Sequence, residues 1–196
     1  MAFSMPAYIR HKTIYFPAML LLLSLFLPAF AIQASEAFVI KSIDTQLKEG
    51  VYLLNARIEY KFSDEALAAL QNGVPLIILM NIEVNQVRWY WNKNIASLEQ
   101  GYLLIYHALS KKFILHNLNS GTQTDFSGLS NTLYALGHLE QLPLIDANLL
   151  EANTKYEVQL RTQLDIESLP APMRPLAYIS SDWRLQSDWY IWPLTP

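Results

Sequence analysis

The chain has 196 residues, enough for one ordinary domain and an N-terminal targeting segment. Hydrophobic residues make up 52% of it and charged residues 16%, which excludes wholesale disorder because enough apolar surface is present to form a core. The formal net charge is −3 without a basic stripe, which argues against a nucleic-acid partner, and the lack of cysteine excludes disulfides, thiol catalysis and cysteine-bound metals.

The first segment has the layout of an export signal. Arg10 and Lys12 precede an almost wholly apolar run over 14–32, and its leucine-rich part is followed by an A-x-A motif that ends at Ala31. A basic end, an apolar middle and small residues at the exit predict a signal peptide over residues 1–31.

The alternative for this segment is an uncleaved signal anchor. The apolar run of about 19 residues approaches the roughly 20 that cross a bilayer as a helix. By the positive-inside rule Arg10 and Lys12 would then stay in the cytoplasm. Both alternatives place residues 32–196 outside the cytoplasm, either released into the periplasm or held at the inner membrane and facing the periplasm.

Alternating apolar and polar residues dominate the rest of the chain and predict half-buried strands. The clearest runs begin at Tyr52, Leu76, Tyr156 and Trp183, and the last places Trp183, Leu185, Ser187, Trp189 and Ile191 on one face. Weaker strands are predicted near 38–47, 102–109 and 113–118. The segments 48–50 and 110–112 are predicted hairpin turns.

Two short helices interrupt the strands. Ser63 is the predicted N-cap of a helix over 64–71, and Asp125 or Ser127 is the predicted cap of a second helix that contains Leu129. The proline-rich segment 169–175 predicts an extended, polyproline-like crossing.

About seven strands and two short helices predict a mainly β fold, an antiparallel β-sandwich that forms a single domain over 32–196. An immunoglobulin-like arrangement is the first expectation, and a partly closed barrel is the alternative.

A run of aromatic residues follows Arg88 at the end of a predicted strand: Trp89, Tyr90 and Trp91. Consecutive side chains of a strand point to opposite faces, so these three cannot all enter the core. One interpretation is a stacking platform for a sugar or a peptide. We favour the other, a corner packed under a neighbouring loop, because Trp commonly seals the ends of β-sandwiches.

Arg174 lies between two prolines and is a candidate contact for an anion or a carboxylate. We favour a structural role, in which Arg174 ties its loop to an acid such as Asp165 or Asp182. Together with Arg88 to Trp91, Arg174 completes the candidate binding surface.

Other titratable residues suggest chemistry only weakly. His107 and His116 would be neighbours across the predicted hairpin, but no third metal ligand is evident nearby. Asp165 and Glu167 share a predicted strand face with Arg161, a pattern that solvated sheet faces normally show. No nucleophile or phosphate-binding motif is present, so we predict no catalytic residue, no metal and no cofactor.

Five segments, taken together and in order, resemble the domain-of-unknown-function 4390 family of proteobacteria: ALQNGVPL at 69–76, RWYW at 88–91, YHALS at 106–110, LDIESLPAPMRP at 164–175 and SDWRLQSDWYIW at 181–192. The resemblance implies a Gram-negative source and an exported protein, and it supplies no activity or ligand.

The sequence therefore predicts a non-enzymatic protein-interaction module of the periplasm or cell envelope that binds a protein partner through a sheet face or edge. It would touch a membrane only through an uncleaved N-terminal segment. The alternatives are a domain that binds a glycan or small molecule through Trp and Tyr faces, and a hydrolase built on acids such as Asp165 and Asp182.

Overall fold

A computed structural model describes residues 37–196 of the protein. The predicted signal segment over 1–31 lies outside this range and stays a prediction. Within the described range, no helix is both long and apolar enough to cross a membrane.

Nine strands and three α-helices make up the described chain. In chain order they are β1 (Phe38–Lys48), β2 (Val51–Tyr60), α1 (Asp64–Gln71), β3 (Leu76–Gln86), β4 (Lys93–His107), β5 (Lys112–Asn117), β6 (Gln123–Phe126), α2 (Leu129–Gly137), β7 (His138–Asp146), β8 (Tyr156–Leu164), α3 (Arg174–Ile179) and β9 (Tyr190–Leu194). Short 3-10 turns cover Ala147–Leu149, Ile166–Ser168 and Ser181–Trp183.

The strands form two antiparallel sheets, one of three strands in the order β1-β2-β7 and one of six in the order β6-β5-β4-β3-β8-β9. This order resembles an immunoglobulin fold of the variable type, except that no described strand takes the place of D in the first sheet and that β6 lies beyond β5 in the second. Strands β1, β2 and β7 take the places of A, B and E, strands β9, β8 and β3 those of G, F and C, and β4 and β5 extend the second sheet as C′ and C″. The predicted mainly β, antiparallel fold is confirmed.

The core lies between the two sheets and is built from the residues that alternation placed on one face. Every second residue from Tyr52 to Tyr60 in β2, from Leu76 to Val84 in β3 and from Tyr156 to Leu164 in β8 is buried. A buried hydrogen bond of 3.1 Å between the Tyr60 hydroxyl and Thr162 Oγ1 joins β2 to β8 across this core. Burial raises the pKa of Tyr60 far above its ordinary value.

Local signals set several element ends as predicted. Ser63 caps α1, and its Oγ accepts a hydrogen bond from the Ala66 backbone N–H at 3.1 Å. The turn between β1 and β2 places both Glu49 and Gly50 at positive φ, the conformation that twisted two-residue hairpins need.

The proline-rich segment differs from the prediction of an extended crossing. The chain turns at 171–173 and then forms α3 from Arg174, with Pro175 in its first turn. A proline is tolerated there because the first backbone N–H groups of a helix have no intrahelical acceptor.

The predicted last strand is only partly correct. Trp183, Leu185 and Ser187 are buried as expected, but Trp189 and Ile191 are exposed. The chain from 184 to 189 is irregular apart from one bridge at Gln186, and β9 begins only at Tyr190, so the buried face changes between the two parts.

The second helix begins later than either predicted cap implies. Its N-cap is Gly128, with no side-chain cap, while Asp125 lies in β6 and forms an ion pair of 3.4 Å with Lys112.

Candidate functional site

The three consecutive aromatic residues lie in the loop that joins β3 to β4. Trp89 is 94% exposed, Trp91 73% and Tyr90 49%. The favoured interpretation of the sequence, a corner packed under a neighbouring loop, is therefore wrong for the two indoles. We call Trp89, Tyr90 and Trp91 the aromatic cluster.

The aromatic cluster is braced from within. The ring of Tyr90 packs edge-on against both neighbours, with centroid separations of 5.0 Å to Trp89 and 4.8 Å to Trp91. Edge-to-face pairs of this kind are favourable because the positive ring edge meets the negative ring face.

The loop that carries the aromatic cluster is also held at both of its ends. The Arg88 guanidinium donates two hydrogen bonds to Gln86 Oε1, at 2.8 and 3.2 Å. Asn92 Nδ2 donates to Glu157 Oε1 at 2.6 Å, and the Val87 N–H donates to the Lys155 carbonyl at 2.9 Å. Because β3 and β8 hold the loop, a partner that binds there would not have to order it first.

Arg174 does not belong to the same surface. Tyr156 of β8 pairs with Gln86 beside the aromatic cluster, whereas Leu164 at the other end of β8 pairs with Ile78. The eight residue steps between these pairs correspond to about 27 Å. Since Arg174 lies beyond the Leu164 end, the structure does not bring it together with Arg88 to Trp91.

Arg174 makes local contacts that stabilise its own loop. Its Nε donates to the Leu169 carbonyl at 2.8 Å, and its Nη1 lies 3.9 Å from Glu167 Oε2. The acid is therefore Glu167 rather than Asp165 or Asp182, and the contact is the structural type that the sequence favoured.

The candidate acids belong to two separate short turns, which Asp165 and Ser180 cap. Asp165 lies just past the end of β8, where Oδ1 accepts a hydrogen bond from the Glu167 N–H at 3.0 Å, so the predicted shared strand face does not form. Asp182 Oδ2 accepts from the Ser180 hydroxyl at 3.1 Å. A shallow groove beside Asp165 is lined by Glu167, and Asp182 is not among the described residues that line it.

The two histidines of the β4–β5 hairpin are not partners. His107 pairs with Lys112 and its Nδ1 lies 3.0 Å from Ser110 Oγ, whereas His116 pairs with Leu103. Across residues 37–196 no group of three or more His, Cys, Asp or Glu side chains is placed to hold a metal ion.

A second feature, which the sequence did not indicate, is a groove of about 430 Å³ over the three-stranded sheet, lined by Ser42, Asp44, Gln46, Asn55, Ala56, Arg57, His138, Leu139, Glu140 and Gln141. We call it the polar groove. The sequence analysis missed it because β7, which supplies four of these residues, contains Pro143 and lacks regular alternation. The aromatic cluster lines neither this groove nor the one beside Asp165.

Fold and surface together define the described chain as an immunoglobulin-like sandwich domain with a braced, exposed aromatic loop. The chain belongs to the family described as Domain of unknown function (DUF4390), which matches residues 35–193. The family resemblance drawn from the motifs is thereby confirmed. No curated protein and no solved structure matches the chain.

Proposed function

We propose that this protein is an exported, non-enzymatic interaction module of a Gram-negative cell envelope, and that it binds a protein partner through the aromatic cluster. The observation that carries the proposal is the exposure of Trp89 and Trp91, at 94% and 73%, on a loop that is otherwise held in place. Trp and Tyr are enriched among the residues that dominate binding energy, because they bury a large rigid surface at a low cost in conformational entropy.

A partner that added a strand to a sheet edge is disfavoured by the edges themselves. Strand β1 has a register shift between Ile40 and Ser42, strands β7 and β9 contain Pro143 and Pro193, and β6 has only four residues. Bulges, prolines and very short strands are the devices by which proteins prevent pairing at an edge. The sequence suggested that the partner binds through a sheet face or a sheet edge. The edges therefore favour contact with an exposed surface over the addition of a strand.

Export rests on the sequence of the first 31 residues. The position of the aromatic cluster is compatible with either a cleaved or an uncleaved segment. Strand β1 begins at Phe38, which pairs with Tyr60 at the end of the sandwich opposite to the loop that joins β3 to β4.

The test is site-specific photo-crosslinking in intact cells, with a photo-reactive residue at position 90, compared between the wild-type chain and Trp89→Ala/Trp91→Ala. We expect the wild-type chain to crosslink one or more envelope proteins and Trp89→Ala/Trp91→Ala to lose these crosslinks. Truncating a residue that dominates binding costs about 2 kcal/mol or more, which is roughly a 30-fold loss of affinity. Leu109→Ala is the matched control, since Leu109 is 94% exposed in the distant β4–β5 turn.

Two further measurements complete the test. The double variant should keep its thermal unfolding midpoint, since both indoles are solvent-exposed. If the double variant, still folded, crosslinks the same proteins with the same yield as Leu109→Ala, the aromatic cluster is not the binding site. An N-terminal residue other than Ile32 in the purified protein would argue against cleavage after Ala31.

A further inference from the structure

The polar groove is shaped by irregularities of the three strands beneath it. The pairing of β1 with β2 shifts between Ile40 and Ser42, and the pairing of β2 with β7 shifts between Leu54 and Ala56. Bulges of this kind bend a strand and re-aim its side chains, and they are frequent beside binding sites.

The backbone of Gln141 has an unusual conformation at the polar groove. Its φ is +52°, a region that residues other than glycine rarely adopt. Its backbone N–H donates a hydrogen bond of 2.9 Å to Asn55 Oδ1, so the strained residue is tied to the middle of β2.

Charged groups on the wall of the groove have unused hydrogen-bonding capacity. Within residues 37–196, neither Arg57 nor Glu140 forms an ion pair, and both are exposed, so their charged groups are accessible to a ligand. Asp44 Oδ2 accepts one hydrogen bond from Gln46, at 3.0 Å. The groove therefore offers both donors and acceptors to a ligand.

An aromatic surface adjoins these polar groups. The imidazole of His138, which lines the groove, stacks on the Tyr134 ring at a centroid separation of 3.8 Å. His138 Nδ1 lies 2.8 Å from the Tyr134 carbonyl oxygen, which fixes the ring and leaves Nε2 available. Tyr134 is 66% exposed and does not itself line the groove, so the aromatic ring that the groove offers to a ligand is His138.

We propose that the polar groove binds a neutral saccharide. Sugar hydroxyls both donate and accept hydrogen bonds, which matches a wall of carboxylate, guanidinium and amide groups, and the C–H face of a sugar ring stacks on aromatic rings. Two carboxylates, Asp44 and Glu140, and one guanidinium, Arg57, line the groove, so an acidic glycan or a phosphate would meet net repulsion. The volume lies within the range of small-molecule sites.

This site is independent of the proposed function, because the aromatic cluster belongs to the other sheet. The test is an NMR titration of the isotope-labelled full chain, in a detergent without a sugar headgroup, with tri-N-acetylchitotriose and maltotriose as neutral probes and trigalacturonate as the acidic probe. We expect at least one neutral probe to shift the backbone amides of Asn55, His138 and Gln141 at about millimolar concentration, and trigalacturonate to leave them unchanged.

Three variants assign the binding to the groove. Arg57→Ala, Glu140→Ala and Tyr134→Ala should each weaken saccharide binding about tenfold or more, while Glu99→Ala on the other sheet and Trp89→Ala/Trp91→Ala should bind like the wild-type chain. The proposal is overturned if neither neutral probe shifts these amides up to about 20 mM, or if the groove variants bind as tightly as Glu99→Ala. Failure here would leave the crosslinking result at Trp89 and Trp91 untouched.

Discussion

The hydrogen bond between Tyr60 and Thr162 provides a direct test of how the two sheets are joined. Replacing Tyr60 with Phe removes only the hydroxyl and keeps the ring, whose edge packs on Phe38 at 4.8 Å between centroids. Thr162 Oγ1 would then be buried without its partner. The expected loss is about 1–3 kcal/mol in the free energy of unfolding, the usual cost of an unsatisfied buried polar group.

A double-mutant cycle separates the bond from the packing. Thr162→Val leaves the Tyr60 hydroxyl unpaired, while Tyr60→Phe/Thr162→Val removes both polar groups and should be less destabilised than the sum of the two single variants, by about 1 kcal/mol or more. The measurement is guanidinium unfolding followed by tryptophan fluorescence. Additive effects, or a Tyr60→Phe variant as stable as the wild-type chain, would refute the inferred bond.

The same tyrosine predicts a loss of stability at alkaline pH. Burial raises the pKa of Tyr60 well above its ordinary value of 10.0, so the unfolded chain loses this proton at a lower pH than the folded chain does. The stabilisation is therefore complete below pH 10 and decreases as the pH rises beyond it, by about 1.4 kcal/mol per pH unit for one group. Tyr60→Phe should show a shallower decrease between pH 10 and 11 in the same unfolding assay, and an unchanged slope would contradict this assignment.

Two further variants test local packing. Gly137→Ala should be strongly destabilising, by about 2 kcal/mol or more in denaturant unfolding, because the added methyl would overlap the Ile58 carbonyl where α2 meets β2; near-native stability would show that this contact is looser than described. Ser63→Ala should cost about 1 kcal/mol, since it removes the cap on Ala66 and the 2.7 Å bond to the Asp182 carbonyl, whereas Ser63→Asp should retain the cap and recover part of the loss.

Much of the core could be predicted from the sequence because its rule is local. A strand with one buried face must alternate, so β2, β3 and β8 were evident from residues such as Ile58, Met80 and Leu160. Caps and tight turns are equally local, as Ser63 and Gly50 show.

The conformations of edge strands and of segments after prolines were instead decided by the tertiary structure. Strand β7 forms because β2 presents an unpaired edge to it, and its register shifts absorb an irregular sequence that includes Pro143. Helix α3 begins at Arg174 although three prolines precede or enter it, because proline fits the first turn of a helix.

The candidate binding sites were likewise predicted from the local sequence in part and decided by the tertiary structure in part. Sequence alone singled out Trp89 and Trp91, since three successive aromatics cannot share one face of a strand. Pairing between distant strands decided three further facts. It set the exposure of those rings and their distance from Arg174, and it brought Arg57, His138 and Glu140 around one groove. Composition and alternation act over a few residues, whereas strand register joins positions far apart in the chain, and only the folded arrangement sets it.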